Sequence, residues 1–219
     1  MLIYLPLSAA PALDLTTIAA RLLPFRASAR APVDRLPAPP RAAVAAILRD
    51  GGAGAEVLFI RRAERPGDPW SGHMAFPGGR RDEADPDLYA TAVRETREEV
   101  GIDLDAHGTL LGRLPDLEAV VRSRPVGLLI TPFVFALERE VPFTFDAEEV
   151  AGALWAPLAP LARGAGAGTV VYQREGATLE LPCWHVEGHV VWGLTYRMLQ
   201  MLFEAVRQGS VHPPEAMRG

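Results

Sequence analysis

Glu95, Glu98 and Glu99 are the residues whose type and spacing can do chemistry. On a helix, three or four steps nearly complete a turn, so the three side chains fall within an arc of roughly 100°. Like charges at this spacing each destabilise a bare helix by about 0.2–0.5 kcal/mol, which calls for compensation. A divalent cation supplies it, and Mg²⁺, which takes hard oxygen ligands while keeping waters and phosphate oxygens in its shell, suits an open acidic ridge. The competing reading is a solvated helix face neutralised by Arg94 and Arg97. The preceding residues favour the cation: Met74-Ala75-Phe76 is apolar, and Pro77-Gly78-Gly79 then allows unusual backbone angles and close approach to a ligand.

The elements that must position this ridge can be read from the patterning. Leu88 to Val100 carries Ala92, Val93 and Thr96 at helical spacing, and Gly101 stands where a left-handed cap is usual. Upstream, Ala42–Leu48 and Glu56–Ile60 are apolar segments separated by Asp50-Gly51-Gly52, which predicts a hairpin. Met74–Phe76 is expected to be a strand entering a tight loop at Pro77-Gly78-Gly79. Strands are expected at Thr109–Leu114 and Gly127–Leu137, the second carrying Pro132, a residue tolerated at an edge or bulge. A helical turn around Glu148 and Glu149 should precede a strand or turn at Trp155, and Val170–Gln173 with Thr178–Trp184 suggest a second hairpin. Trp192–Val206, apolar at Leu194, Met198, Leu199, Met201 and Leu202, reads as a helix packed on the core. Asp14 caps a short amphipathic helix that stops at Pro24, and 27–40 is an extended connector. The expected division is therefore an N-terminal helix and connector over 1–40, one catalytic domain over 41–210 and a tail over 211–219.

Gly78-Gly79, the acidic loop Asp82–Asp87 and Arg94-Glu95-Thr96-Arg97-Glu98-Glu99-Val100-Gly101-Ile102 resemble the Nudix box, G-x5-E-x7-R-E-U-x-E-E-x-G-U. Thr96 stands in an aliphatic position, and the stretch from Gly79 to Arg94 is one residue longer than the standard spacing. This longer loop resembles the coenzyme A pyrophosphatase branch, as do Gly72, Phe76 and Trp192-Gly193-Leu194-Thr195. His73 and Trp70 depart from that branch, standing where an acid or amide and a histidine are common.

The resemblance implies an α/β fold, an α/β/α sandwich with a mixed sheet, and a loop-helix-loop site for Mg²⁺ or Mn²⁺. It implies Glu95, Glu98 and Glu99 as metal ligands and Arg94 as the arginine that pairs with a box glutamate. That first glutamate has no exact counterpart; Asp85, counted from Gly79, is the nearest acid, with Asp87 and Glu83 as alternatives. The reaction implied is attack of water on phosphorus in a nucleoside diphosphate derivative, coenzyme A or an acyl derivative among them. Other diphosphate conjugates, nucleoside triphosphates and a nucleotide-sensing module without hydrolysis remain open. Two residues compete as catalytic base: Glu98 in the box, and Glu149, because Glu149-Val150 followed by Leu154-Trp155-Ala156-Pro157-Leu158 resembles a downstream element of many such proteins.

Other residues carry two readings each. His73 can bond a phosphate or base, or serve as a strand histidine. Arg61, Arg62 and the backbone of Gly78 and Gly79 can meet anionic groups of a substrate, while a strand-end arginine is as readily a solvated one. Trp70 and Trp155 can stack on a base or pack against the core. His185 and His189 are four residues apart without a third ligand, which argues against zinc.

Composition sets the outer limits. The chain has 219 residues, about half of them apolar, enough for one substantial core. A net charge of −5 provides no basic stripe for a nucleic-acid backbone, so the expected partner is a small nucleotide substrate. No run reaches the ~18 apolar residues of a membrane span, and no membrane partner is expected. The single cysteine, Cys183, rules out an intrachain disulfide and suits a reducing compartment; cytoplasmic location is the expectation. The N-terminal helix and connector are expected either to form a homodimer contact or to cap the fold.

Overall fold

The computed structural model describes residues 13–25, 40–66, 71–121, 124–174 and 177–208. The connector 27–39, Trp70 and the C-terminal tail lie outside the described residues. Among the described residues, eight strands form one mixed sheet and three form a second.

The first hairpin forms as its turn residues require: β1 (Arg41–Asp50) and β2 (Ala55–Arg62) are antiparallel, with Leu48 opposite Val57 and Asp50 opposite Ala55. Beyond that register the two strands part. The chain from Met74 to Arg80 fills the split, with β3 (Met74–Ala75) on β2 and β4 (Gly78–Arg80) on β1. Ala45 N–H, donating to Pro77 C=O at 2.8 Å, ties the bend between them. Gly78-Gly79 is therefore a short strand where a tight loop was expected. The reason is space: a Cβ on Gly78, whose φ is +148°, would lie 2.3 Å from Ala43 O and 2.5 Å from Val44 Cα.

On its other edge β1 pairs in parallel with β7 (Arg124–Leu137), which makes the sheet mixed. Pro132 lies in the middle of β7, not at an edge. Its missing N–H does no harm there, because β7 changes partners at this point, from β6 (Leu117–Val121) to β5 (Gly108–Arg113). Leu114 N–H takes up the Pro132 carbonyl at 2.8 Å. The free edge of β2 carries β8 (Val150–Pro157), with a bulge between Arg61 and Arg62.

Alternation along β1 assigns the two faces, and both are buried, as a central strand requires. Ala43, Ala45 and Ile47 pack with Leu88, Tyr89, Ala92 and Val100 of α2 (Leu88–Val100), together with Phe133 and Phe135. Ala42, Val44, Ala46 and Leu48 belong to the opposite core. There they meet Ile18 and Leu22 of α1 (Leu15–Leu22), Leu158 of α4 (Leu158–Ala162) and Met198, Leu199 and Leu202 of α5 (Gly193–Gln208). The second sheet, β9 (Ala167–Arg174), β10 (Ala177–Val186) and β11 (His189–Trp192), adds Trp184 and Val191 to this core. Helices thus cover both faces of the sheet, an α/β/α sandwich. No helix of the described residues is long and apolar enough to cross a membrane.

Candidate active site

Helix α2 begins and ends where its sequence directs. Asp87 accepts from Ala90 N–H at 2.8 Å as N-cap, and Gly101 closes the helix with φ +74°. Thr96, at the aliphatic position of the box, is fully buried and donates its hydroxyl to Ala92 C=O at 2.7 Å, which satisfies the group without a partner from another element.

The helix presents its glutamates to different surroundings. Glu99 is 1% exposed and accepts the N–H of Gly78 at 2.7 Å. Burial pushes its carboxyl up to about 8, against the counteracting Gly78 bond, and neighbouring Glu95 and Glu149 push the same way. Glu95 is half-buried over Gly79, where a Cβ would stand 2.5 Å from its carboxylate. Burial raises its pKa as well, with the Arg94 charge opposing. Glu98 is exposed and turns to Arg94 Nη1 at 2.9 Å, away from Glu99.

Glu149 completes the grouping from a distant part of the chain. The segment leading to it is tied to the end of α2, with Thr144 N–H donating to Val100 C=O at 3.0 Å and Asp146 N–H to Glu99 C=O at 3.2 Å. Ala63 N–H then takes Glu149 C=O at 2.7 Å, beside the bulge in β2 and β8. Carboxylate oxygens of Glu95, Glu99 and Glu149 all lie within 4.8 Å of one another. Three hard donors with at least one carboxyl that resists ionisation make a site whose excess negative charge a divalent cation would neutralise. The helix ridge expected from sequence thus contributes two of its three acids to the grouping, and the third is Glu149.

Arg94 holds the ridge. Its Nε and Nη2 reach Asp85 Oδ1 and Oδ2 at 3.0 and 2.9 Å, Nη2 also reaches Arg80 C=O at 3.1 Å, and Nη1 lies 2.9 Å from both Glu95 and Glu98. Asp85 also accepts from Asp82 N–H and the Thr91 hydroxyl, each at 2.9 Å. Against the opposing effect of burial, these bonds keep its carboxyl below the usual range. Asp85 is the acid that Arg94 grips; Asp87 is the helix cap.

A cavity of about 630 Å³ opens from the three glutamates. Arg62, His73, Gly78, Gly79 and Arg80 line its near end. Arg61 points elsewhere, exposed, with its guanidinium 3.5 Å from Ala151 C=O. Trp155 is also outside the cavity, stacked on Phe143 and covered by the Arg49 guanidinium at 4.4 Å. Tyr172, Trp192 and Arg197, from β9, β11 and α5, line the cavity as well. The sequence marks Trp192 only as the opening of the last helix and does not single out Tyr172 or Arg197 for the site; packing of the second sheet and the last helix brings all three there. Trp192 lies 4.7 Å from His73 and 5.5 Å from Tyr172, centroid to centroid.

The chain is similar to several known proteins. An uncharacterized protein of Schizosaccharomyces pombe is 46% identical over 110 residues, which are 48% of this chain and 32% of that one, so the chain spans about a third of that relative's length. An uncharacterized Nudix hydrolase, NudL, of Yersinia pestis is 32% identical over 150 residues, covering 68% of this chain and 72% of its own. Among solved structures, a Caenorhabditis elegans Ap4A hydrolase in a binary complex aligns over 56% of this chain and 82% of its own, with 21% identity and a TM-score of 0.47. The NUDIX domain of Shewanella oneidensis NrtR, complexed with ADP ribose, aligns over 59% and 80%, with 20% identity and a TM-score of 0.43. The family model of the NUDIX domain matches residues 39–174, a span that runs from β1 through α2 and Glu149 to β9, and on that match the chain belongs to the Nudix hydrolase family.

Proposed function

We propose that the protein hydrolyses the pyrophosphate link of a nucleoside diphosphate derivative with Mg²⁺ or Mn²⁺, and that coenzyme A or an acyl-coenzyme A is the favoured substrate. The observation that carries this reading is the convergence of Glu95, Glu99 and Glu149 at the mouth of a cavity large enough for a nucleotide conjugate. These three carboxylates would hold the ion, which supplies charge neutralisation on the diphosphate and a more acidic bound water. Arg62 and Arg80 face the same space and would offset charge on the phosphate oxygens. Glu149 is the assigned proton acceptor for the attacking water, since it lines the cavity and Glu98 is held on Arg94 outside it. Arg94 acts on position only, by fixing Glu95 and the loop through Asp85.

Coenzyme A is favoured by the long loop between Gly79 and Arg94 and by Gly72, Phe76 and Trp192–Thr195. Trp192 and Tyr172 give a nucleobase an aromatic surface within the cavity. The test is a panel of coenzyme A, ADP-ribose, NADH, diadenosine polyphosphates and nucleoside triphosphates with each metal, read by mass spectrometry. The expected products from coenzyme A are a nucleoside monophosphate derivative and a phosphorylated remainder; pyrophosphate release from triphosphates alone would overturn the proposal.

A further inference from the structure

Resting on that reading, we infer that Arg65 is a positioning residue of the site: it grips the peptide in front of Glu149 and the Glu149 carboxylate together, and so sets where the third acid stands. The need for such a grip follows from how the acids arrive. Glu95 and Glu99 share one helix, whose repeat holds them in a fixed relation. Glu149 sits on the turn that enters β8, 50 residues after Glu99, and its long side chain loses rotamer freedom when it is held in one place. After burial, the Glu149 charge is one of the influences that disfavour ionised Glu95 and Glu99, so the three acids repel one another.

One guanidinium meets both requirements. Arg65 Nε donates to Glu148 C=O at 2.8 Å, and Nη2 lies 3.4 Å from Glu149 Oε1 as donor and counter-ion. The first bond fixes the peptide that carries Glu149, and the second draws the carboxylate back over that peptide. A carboxylate has two oxygens, so Oε2 is left for an ion or a water. Arg65 is itself tied at its base: its N–H donates to Ser71 Oγ at 2.8 Å, and two residues earlier Ala63 N–H donates to Glu149 C=O at 2.7 Å. Both sides of residue 149 are thus bound to the stretch that leaves β2. Arg65 is not among the residues lining the cavity, where Arg62 and Arg80 face the phosphate position, so it acts on Glu149 and not on substrate. With Arg65 44% and Glu149 40% exposed, the pair adds little to stability, and its effect is on geometry.

The test compares Arg65→Met, Arg65→Lys, Glu149→Ala and the double variant Arg65→Met with Glu149→Ala, each in the full chain. Two readouts are taken: affinity for Mn²⁺ alone by electron paramagnetic resonance, and kcat and KM with Mg²⁺ on the best substrate of the panel. Arg65→Met should weaken Mn²⁺ binding and lower kcat by roughly tenfold to a hundredfold each, with KM and the thermal midpoint close to those of the parent chain. Arg65→Lys, which keeps the charge but cannot reach both acceptors, should recover only part of either loss. Once Glu149→Ala is in place, adding Arg65→Met should change nothing further, because the group it positions is gone. Four results would overturn the inference: parent-like Mn²⁺ affinity and kcat in Arg65→Met, a thermal midpoint that falls in step with the lost activity, full additivity in the double variant, or a raised KM at unchanged kcat, which would put Arg65 on substrate. Any of these beside a defective Glu149→Ala would leave the proposed hydrolysis standing. A parent chain inactive on every substrate would instead remove the proposed function, and Mn²⁺ binding would still decide the grip on Glu149.

Discussion

Arg94 closes on Asp85 with two parallel hydrogen bonds, Nε to Oδ1 at 3.0 Å and Nη2 to Oδ2 at 2.9 Å, across nine residues of chain. The fork geometry of the guanidinium makes this possible and leaves Nη1 for Glu95 and Glu98. Asp85→Asn should therefore lower stability by about 1–3 kcal/mol in denaturant unfolding, because a buried charge-assisted pair is weakened. Arg94→Lys should reduce turnover more than it reduces stability, since an ammonium cannot hold Asp85 and Glu95 together. Equal kcat/KM for Arg94→Lys and the parent chain would remove the positioning role.

The glutamates give a pH dependence whose sign follows from Glu99. Its carboxyl sits at about 8 in the folded metal-free protein, above the ordinary value of 4.5 that applies when unfolded. The folded state thus binds more protons between these values, so this contribution to stability is complete below pH 4.5 and is lost as pH rises through 8. Asp85 and Asp116 are shifted down and act only at pH values below this window. In EDTA the thermal midpoint should fall from pH 5 to pH 8, and Glu99→Gln should flatten the fall. A midpoint that climbs over that range would contradict the assignment.

Glu149 and Glu98 are separated by one comparison. Glu149→Gln should lower kcat by about a hundredfold or more with folding intact, the loss expected of a general base. Glu98→Gln, which removes an exposed partner of Arg94, should stay within about tenfold. Steady-state kinetics showing the reverse order would move the base onto the helix.

The two glycines beside the ridge should differ in tolerance. A Cβ at Gly78 meets backbone atoms of Ala43 and Val44, which cannot yield, and Gly78→Ala should destabilise by about 3 kcal/mol or prevent folding. At Gly79 the added carbon meets only the end of the Glu95 side chain, so Gly79→Ala should cost about 1–2 kcal/mol yet displace a carboxylate of the site. Metal affinity measured by Mn²⁺ titration should drop in Gly79→Ala; an unchanged affinity would detach Gly79 from the site.

The acidic helix was legible because its information is local. Asp87, the helical spacing of the apolar residues and Gly101 set its limits, and Glu95 and Glu99 share a face through the helical repeat alone. The Asp50-Gly51-Gly52 hairpin, the Asp14 cap and the last helix are legible for the same reason. Pro77-Gly78-Gly79 reads as a loop because its residues break regular structure and permit unusual backbone angles. Only the parting of β1 and β2 shows that a strand without side chains is what fits there.

What the sequence by itself determined is therefore the acidic helix, its glycine neighbour and the family to which the pattern belongs. A downstream pattern singles out Glu149 as a candidate, but tertiary structure decided that it meets Glu95 and Glu99 while Glu98 turns to Arg94, and that Tyr172, Trp192 and Arg197 line the same cavity. The helical repeat fixes which residues share one face over a few positions. Meetings across 50 to 119 residues, from Glu99 with Glu149 to His73 with Trp192, depend on strand pairing and packed faces, which the helical repeat does not encode.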